Sequence, residues 1–448
     1  MPTAAAAAAT AASNSHANEE EDGNTIVLTC VDLQSMEAWS REKVKDWIQS
    51  SVSQCRIDTS STTNNDDSSI VKPMFKYIKG TDQCIALTST LLKSRAYYQT
   101  PSTRYNNNSN NNSSKKRPLQ TLPRTPHGKP FVSHGTNKHA MSISHQFPIC
   151  ALSHYHSSYP ATITEATTAD APDDPNYFVG LDVVMFDPPN PKLYTTQNEF
   201  LDMFRDSFTE WEWNRIRMTL ASSSPLLTHD EEDPPSNSCC GRLGQKFTMQ
   251  KKKKSSSLSS IRAVPPPMIQ TEEDILKEFY LRWSIKEAYT KALGVGMGLD
   301  FGTFETRLQG VDVDDENEND DKHAENASIW NVLMERLVEN DHRNSSKDGQ
   351  NGVVRLQGHV RQCHDESSLQ LPTVSVWNFY FVPLLRQTDD PTGIVRSSVP
   401  QGCACTCVGI PSFDDNQDTT TTPALNFKVE WRTVEDLISF HTGESTRN

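Results

Sequence analysis

The stretch TEEDILKEFYLRWSIKEAYTKALGVGMG, residues 271–298, predicts one long helix with a defined start and end. Thr271 with Asp274 three residues later is typical of an N-cap with a capping box. Gly294 stands where a helix-terminating C′ glycine belongs. We therefore expect the helix to lie between Thr271 and Gly294.

An apolar stripe on this helix runs into two charged residues. Leu276, Tyr280 and Trp283 recur at helical spacing and predict a buried face. The same stripe continues into Glu287 and Lys291, each four residues further on. A buried carboxylate is costly unless it is paired or binds a metal. The pattern therefore allows either a Glu–Lys pair on a solvated surface or a functional site.

A second isolated carboxylate, Asp182, interrupts the run FVGLDVVMF at 178–186. The run is almost continuously apolar, which predicts a strand buried on both faces. A carboxylate within such a strand binds a cation, pairs with a base or caps a loop at the strand end. One metal ion would accommodate both Asp182 and Glu287.

Composition limits the function classes. The 448 residues carry a formal net charge of −14, which argues against a general nucleic-acid binder. A hydrophobic content of 35% and a mean hydropathy of −0.62 are too polar for a chain that folds throughout. No apolar run approaches the length that spans a bilayer. The ten cysteines, with no secretory signal before them, are expected to be reduced.

Several polar segments predict disorder. Residues 1–23 are Ala-rich and then acidic, without the basic start of a secretory signal, so we expect a disordered tail; a poorly formed organelle signal is the alternative. The Asn/Ser tract at 105–114 cannot form a core. Inserts are expected at 221–270, which contains KKKK, and at 311–326, which is acidic. We interpret the lysine run as a solvated loop, with a localisation or anion-binding patch as the alternative.

Further elements are predicted around these segments. Cys403, Cys405 and Cys407 alternate, which suits one face of a strand better than a zinc site. Strands are predicted at 25–34, 299–308, 353–361 and 374–384, helices at 36–50 and 197–220, and a last strand and helix within 425–442.

Five short motifs follow one another along the chain. They are RTPHGKP at 124–130, SISHQ at 142–146, VGLD at 179–182, FTEWEWNRIR at 208–217 and RWSIKEAYTKALGVG at 282–296. Together they resemble the single-chain, surfactin-synthetase-activator type of 4′-phosphopantetheinyl transferase. The greatest similarity is to the eukaryotic type that activates aminoadipate-semialdehyde dehydrogenase and fatty acid synthase.

The resemblance implies an α+β fold in which two similar α/β halves form a pseudo-twofold monomer with the active site between them. On this analogy, residues 24–175 are the N-terminal half, which binds coenzyme A. Residues 176–443 are the C-terminal half, with the metal and the catalytic helix. A cytoplasmic enzyme with no nucleic-acid or membrane partner is expected.

The implied reaction moves 4′-phosphopantetheine from coenzyme A to a serine of an apo carrier protein, giving holo carrier protein and adenosine 3′,5′-bisphosphate. The implied partners are acyl carrier protein or carrier domains of the fatty acid synthase, polyketide synthase or aminoadipate reductase type, in fatty acid and lysine biosynthesis. A non-catalytic coenzyme A- or carrier-protein-binding homologue is the alternative, and the presence of the charged motif residues speaks against it.

The resemblance also implies roles for individual residues. Mg²⁺ would be held by Asp182, Glu287 and Gln146. Bacterial members often have a second acid where Val184 stands here, so Gln146 is expected to take part in place of that acid. Glu287, Lys291 and His145 would be catalytic. Coenzyme A would be bound by Arg124, Lys129, Ser144, His145, Lys79 and Lys291, with Lys93 as an alternative to Lys79.

Overall fold

The computed structural model of the chain describes residues 24–55, 74–100, 116–134, 137–156, 177–221, 271–312, 328–343, 352–363, 374, 376–385, 399–409 and 425–444. The predicted N-terminal tail, the Asn/Ser tract and the lysine run lie outside these residues. So do the two predicted inserts, apart from Ala221, Val311 and Asp312, and the expected boundary between the halves at 175/176.

The described strands form two five-stranded sheets. The first contains β1 (Thr25–Asp32), β2 (Phe131–His134), β3 (Asn137–Gln146), β4 (Ile149–His156) and β10 (Asn426–Arg432), in the order β10-β1-β4-β3-β2. The second contains β5 (Phe178–Met185), β6 (Phe304–Leu308), β7 (Val354–Gln362), β8 (Trp377–Leu384) and β9 (Gly402–Gly409), in the order β5-β9-β8-β7-β6. All the pairings are antiparallel except that of β10 with β1.

Helices pack on the outer faces of both sheets or, for the third and fourth described helices, on the long helix that follows them. They are α1 (Arg41–Gln54), α2 (Gly80–Gln99), α3 (Gln197–Asp202), α4 (Glu210–Ala221), α5 (Glu272–Leu293), α6 (Ile329–Arg343) and α7 (Val434–Thr442). Side chains of α1, α2 and α7 share a core with the first sheet, and those of α5 and α6 share one with the second. A third core lies between the sheets and includes Leu28, Ala151, Leu181 and Ala404. The mixed α+β fold is therefore confirmed, while the pseudo-twofold relation stays a prediction.

Most predicted elements are present. The strand predicted at 353–361 is β7, and it pairs antiparallel with β8. The helix expected at 36–50 begins only at Arg41, and the strand expected at 299–308 is confined to β6. The strand and helix predicted within 425–442 are β10 and α7, and β10 extends the N-terminal sheet beside β1.

The long helix α5 begins and ends as its sequence predicts. The backbone N–H of Asp274 donates to Thr271 Oγ1 at 3.3 Å, and that of Thr271 donates to Asp274 Oδ2 at 2.9 Å. Gly294 follows the helix in the left-handed conformation, with φ of 78°.

The burial of α5 differs from the single apolar stripe that was predicted. Leu276 is buried, but Tyr280 and Trp283 are only half-buried. The helix is buried on nearly every side, and Tyr280, Trp283, Glu287 and Lys291 of the predicted stripe are half-buried positions along it. Within the part of the chain that the structure describes, no helix combines the length and apolar character that crossing a bilayer needs.

Candidate functional site

The site depends on a close approach between β5 and α5. A Cβ added to Gly180 would lie 1.7 Å from the carbonyl oxygen of Ala288 and 2.4 Å from the backbone nitrogen of Ala292. Only glycine allows α5 to lie directly on the strand here. Asp182, two residues further along the same face of β5, is thereby brought to the stripe of α5 that carries Glu287 and Lys291.

Lys291 lies between the two carboxylates. Its Nζ is 2.7 Å from Asp182 Oδ1 and 3.7 Å from Glu287 Oε2. The side chains of Asp182 and Glu287 are only 10% and 17% exposed, and that of Lys291 is 28% exposed. Two poorly solvated carboxylates thus share one ammonium, which leaves an excess negative charge to attract a further cation.

Side chains of β3 bind the free edge of β5. The backbone N–H groups of Leu181, Val183 and Met185 donate to Ser142 Oγ at 2.9 Å, Ser144 Oγ at 3.1 Å and Gln146 Oε1 at 2.9 Å, respectively. These alternate side chains replace the ladder that a neighbouring strand would supply. The Ser144 hydroxyl also donates to Asp182 Oδ1 at 3.1 Å and accepts from Lys291 Nζ at 3.2 Å.

The surroundings shift two pKa values in the site. Burial and the neighbouring Asp182 carboxylate raise the pKa of Glu287, although the Lys291 ammonium opposes the change. The pKa of His145 is lowered by desolvation and by Lys291, even though the residue as a whole is exposed. Neighbouring groups with shifted pKa values are common at functional sites.

The cation Lys93 lies near His145 and near a second cation, Arg124. Burial and the adjacent Arg124 guanidinium lower the pKa of Lys93 on α2, and Lys93 in turn lowers that of His145. Arg124 is exposed and donates to the carbonyl oxygen of Gly128 at 2.8 Å. Lys79, at the N-cap of α2, is exposed as well. Mutual repulsion between close cations indicates a place for an anionic ligand.

The predicted site residues thus fall into three groups. Asp182, Glu287, Lys291 and Ser144 meet directly, and His145 and Gln146 follow Ser144 on β3. Arg124, near Lys93, and Lys79 are exposed. Lys129 bonds to the backbone of the same strand and helix: its Nζ donates to the carbonyl oxygens of Val179 at 2.9 Å and Ala292 at 2.7 Å.

Buried ion pairs support the other faces of α5. Lys286, next to Glu287, lies 2.7 Å from Glu212 Oε2 with both side chains fully buried. Glu212 also forms the capping box of α4 with Thr209. Arg282 lies 3.0 Å from Asp312 and 2.9 Å from Glu278. These pairs were not predicted. The sequence signal for them is that charged residues occur on every face of α5, a helix that is buried on nearly every side.

The oxygen donors suit Mg²⁺. Mg²⁺ is usually held by one or two carboxylates, with water and substrate phosphates as its other ligands. Asp182 and Glu287 supply two carboxylates that reach one common cation. Among the described residues, no group of three or more His, Cys, Asp or Glu side chains is placed to hold a metal. A metal held by these two carboxylates would take its other ligands from amide or carbonyl oxygens, water or substrate phosphates, as in an open Mg²⁺ site.

Two curated proteins are similar to parts of the chain. One segment of 30 residues is 60% identical to 4′-phosphopantetheinyl transferase pptA of Paxillus involutus and covers 7% of this chain and 11% of that protein. Another of 124 residues is 26% identical to a phosphopantetheinyl transferase of Thraustochytrium sp. and covers 28% of this chain and 26% of that protein. The chain thus spans about a tenth and about a quarter of the length of these relatives.

A family model matches the part of the chain that supplies one side of the site. Residues 261–333 match the model of the 4′-phosphopantetheinyl transferase superfamily. The matched segment contains Glu287 and Lys291, which the fold brings to Asp182. With the two relatives, this match shows that residues 261–333 are similar to the 4′-phosphopantetheinyl transferase superfamily.

Proposed function

We propose that the chain transfers the 4′-phosphopantetheine arm of coenzyme A to a serine of an apo carrier protein. Its main support is the convergence of Asp182, Glu287 and Lys291 from a strand and a helix that lie far apart in sequence. In the proposed step the serine Oγ forms a bond to the phosphorus next to the pantetheine arm. The bond from that phosphorus to the bridging oxygen breaks, and adenosine 3′,5′-bisphosphate leaves with the electron pair.

Glu287 is the proposed acceptor of the serine proton, directly or through a water molecule. Its raised pKa makes it a better base than an ordinary surface carboxylate, and its position on a packed helix fixes its direction. Lys291 is proposed to move from the carboxylates to a phosphate oxygen, where its charge offsets that of the leaving group. His145, on β3, is proposed to donate to the same group.

The anionic co-substrate would be held from both sides. Asp182 and Glu287 would bind Mg²⁺, which would neutralise charge on the pyrophosphate when bound. Arg124 and Lys93 are proposed to receive the nucleotide phosphates, because each lies close to another cation and Lys93 is partly desolvated. The amide oxygen of Gln146 accepts a hydrogen bond from the backbone N–H of Met185. The second lone pair of this oxygen is proposed to contact the metal or a water molecule.

The finer assignments belong to the same proposal. The motif order favours the eukaryotic type that acts on aminoadipate-semialdehyde dehydrogenase and fatty acid synthase. A cytoplasmic monomer that acts on carrier domains of the fatty acid synthase, polyketide synthase or aminoadipate reductase type is proposed accordingly. A panel of such apo carriers, incubated with equal amounts of enzyme, would rank them by initial rate.

The test is the mass of an apo carrier protein after incubation with coenzyme A, Mg²⁺ and this chain. The proposal expects one phosphopantetheinyl group on the carrier serine and none after chelation of the metal. Coenzyme A binding by calorimetry is measured in parallel. Binding without modification of any carrier in the panel would favour a non-catalytic binding protein and would overturn the proposal.

A further inference from the structure

The turn that presents Lys129 is fixed by its own hydrogen bonds. The N–H of Gly128 donates to Thr125 O at 2.8 Å, and that of Thr125 donates to Lys129 O at 2.8 Å. The N–H of Lys129 donates to Thr125 Oγ1 at 3.1 Å. Gly128 has φ of 86°, which a side chain would oppose. The backbone of Lys129 is thus held in place where its side chain leaves the turn.

The Lys129 side chain joins β5 to the end of α5. Its Nζ donates both to Val179 O on the strand and to Ala292 O on the helix. The Ala292 carbonyl is among the last four of α5, which lack partners within the helix and form the negative end of its dipole. The lysine methylenes lie against Gly294, where an added Cβ would be 3.3 Å from Lys129 Cδ.

These two hydrogen bonds connect the elements that carry the candidate metal ligands. Val179 precedes Asp182 by three residues, and Ala292 follows Glu287 by five. Burial lowers the pKa of Lys129 to about 7. A neutral amine still has two N–H bonds for the two carbonyls, so the connection persists in either protonation state.

We infer that Lys129 is a positioning residue that fixes β5 against α5 and so sets the separation of Asp182 and Glu287. The inference rests on the proposed transferase function. It differs from the family resemblance, which implies that Lys129 contacts the nucleotide. Two of its N–H bonds point into the protein at backbone carbonyls, and its methylenes are covered by the turn after α5.

The experiment replaces Lys129 by methionine, which keeps the length of the side chain and removes the donors. Transfer is measured at saturating coenzyme A and carrier, and coenzyme A affinity is measured by calorimetry without carrier. We expect kcat to fall about 100-fold, as for a small displacement of reacting groups, with the coenzyme A Kd within about threefold of wild type. Hydrogen exchange at the backbone amides of Gly294 and Val295 should become faster.

Lys93→Met gives the opposite pattern as a control, since it should weaken coenzyme A binding more than it lowers kcat. A Kd raised about tenfold or more in Lys129→Met with kcat intact would overturn the inference and assign Lys129 to the ligand. Unchanged kcat, Kd and exchange would overturn it as well. If Lys129→Met does not fold, Thr125→Ala is used, because it loosens the same turn. It should lower kcat by a smaller factor and leave the coenzyme A Kd near that of wild type.

The exchange measurement separates this inference from the proposed function. If the wild-type chain transfers nothing to any carrier, the function fails. Faster exchange at the end of α5 in Lys129→Met would still support the structural connection, and wild-type exchange would reject it.

Discussion

Gly180→Ala tests whether the site depends on direct contact between β5 and α5. The new Cβ would lie 1.7 Å from Ala288 O, whereas Cβ atoms in proteins essentially never come within 3.0 Å of a backbone atom. The contacting atoms of β5 and α5 must therefore separate by at least about 1.3 Å, and because the contact is with backbone, a side-chain rotation cannot relieve it. Such overpacking costs about 1–3 kcal/mol of unfolding free energy. A displacement near 1 Å at reacting groups lowers turnover about 100-fold.

The assay compares urea unfolding and carrier modification for Gly180→Ala and for Gly298→Ala. Gly298 is the matched control, because a Cβ there would meet nothing within 4 Å. We expect the first variant to lose both stability and transfer, and the second to keep both. Wild-type stability and turnover in Gly180→Ala would refute the idea that this glycine sets the distance between Asp182 and α5.

Three further predictions concern charged residues. Lys286→Met leaves Glu212 buried without its cation and should lower the free energy of unfolding by about 3–5 kcal/mol, and Glu212→Leu added to it should recover part of the loss in urea titrations. Burial raises the pKa of Glu430, but the ion pair with Arg95 outweighs burial and lowers this pKa to about 2. The contribution of the pair to the free energy of unfolding is therefore complete above about pH 4.5 and is lost as the pH falls toward 2. Allowing for solvent screening, Glu430→Gln should therefore be about 1–2 kcal/mol less stable than wild type at pH 6 and about equal to it near pH 2; a constant difference would contradict the linkage. Asp182→Asn should weaken Mn²⁺ binding, followed by electron paramagnetic resonance, by at least about tenfold, and unchanged affinity would remove Asp182 from the metal site.

The sequence predicts the ends of α5 and the character of β5 because local chemistry decides both. Thr271, Asp274 and Gly294 act on their own neighbours, so the capping box and the left-handed C′ residue follow from spacing alone. Likewise, continuous apolar residues around Asp182 identify a buried strand.

The partners of α5 could not be predicted, because they come from distant segments. Lys286 finds Glu212 on α4, and Lys129 reaches carbonyl oxygens 50 and 163 residues away. A charged side chain that is buried against a distant partner has the same neighbours in sequence as one that faces water. Periodicity therefore predicts that it is exposed to solvent. Gly180 left a weak signal, since a glycine inside a strand often marks a close backbone approach.

The most direct test of the central claim is carrier modification by Glu287→Gln. The variant keeps the size of the side chain and removes the charge that would hold Mg²⁺ and accept the serine proton. Glu272→Gln, at the exposed start of the same helix, controls for the change in charge. The account predicts that Glu287→Gln melts like wild type and modifies no carrier, while Glu272→Gln retains transfer. Wild-type turnover by Glu287→Gln would contradict the proposed site.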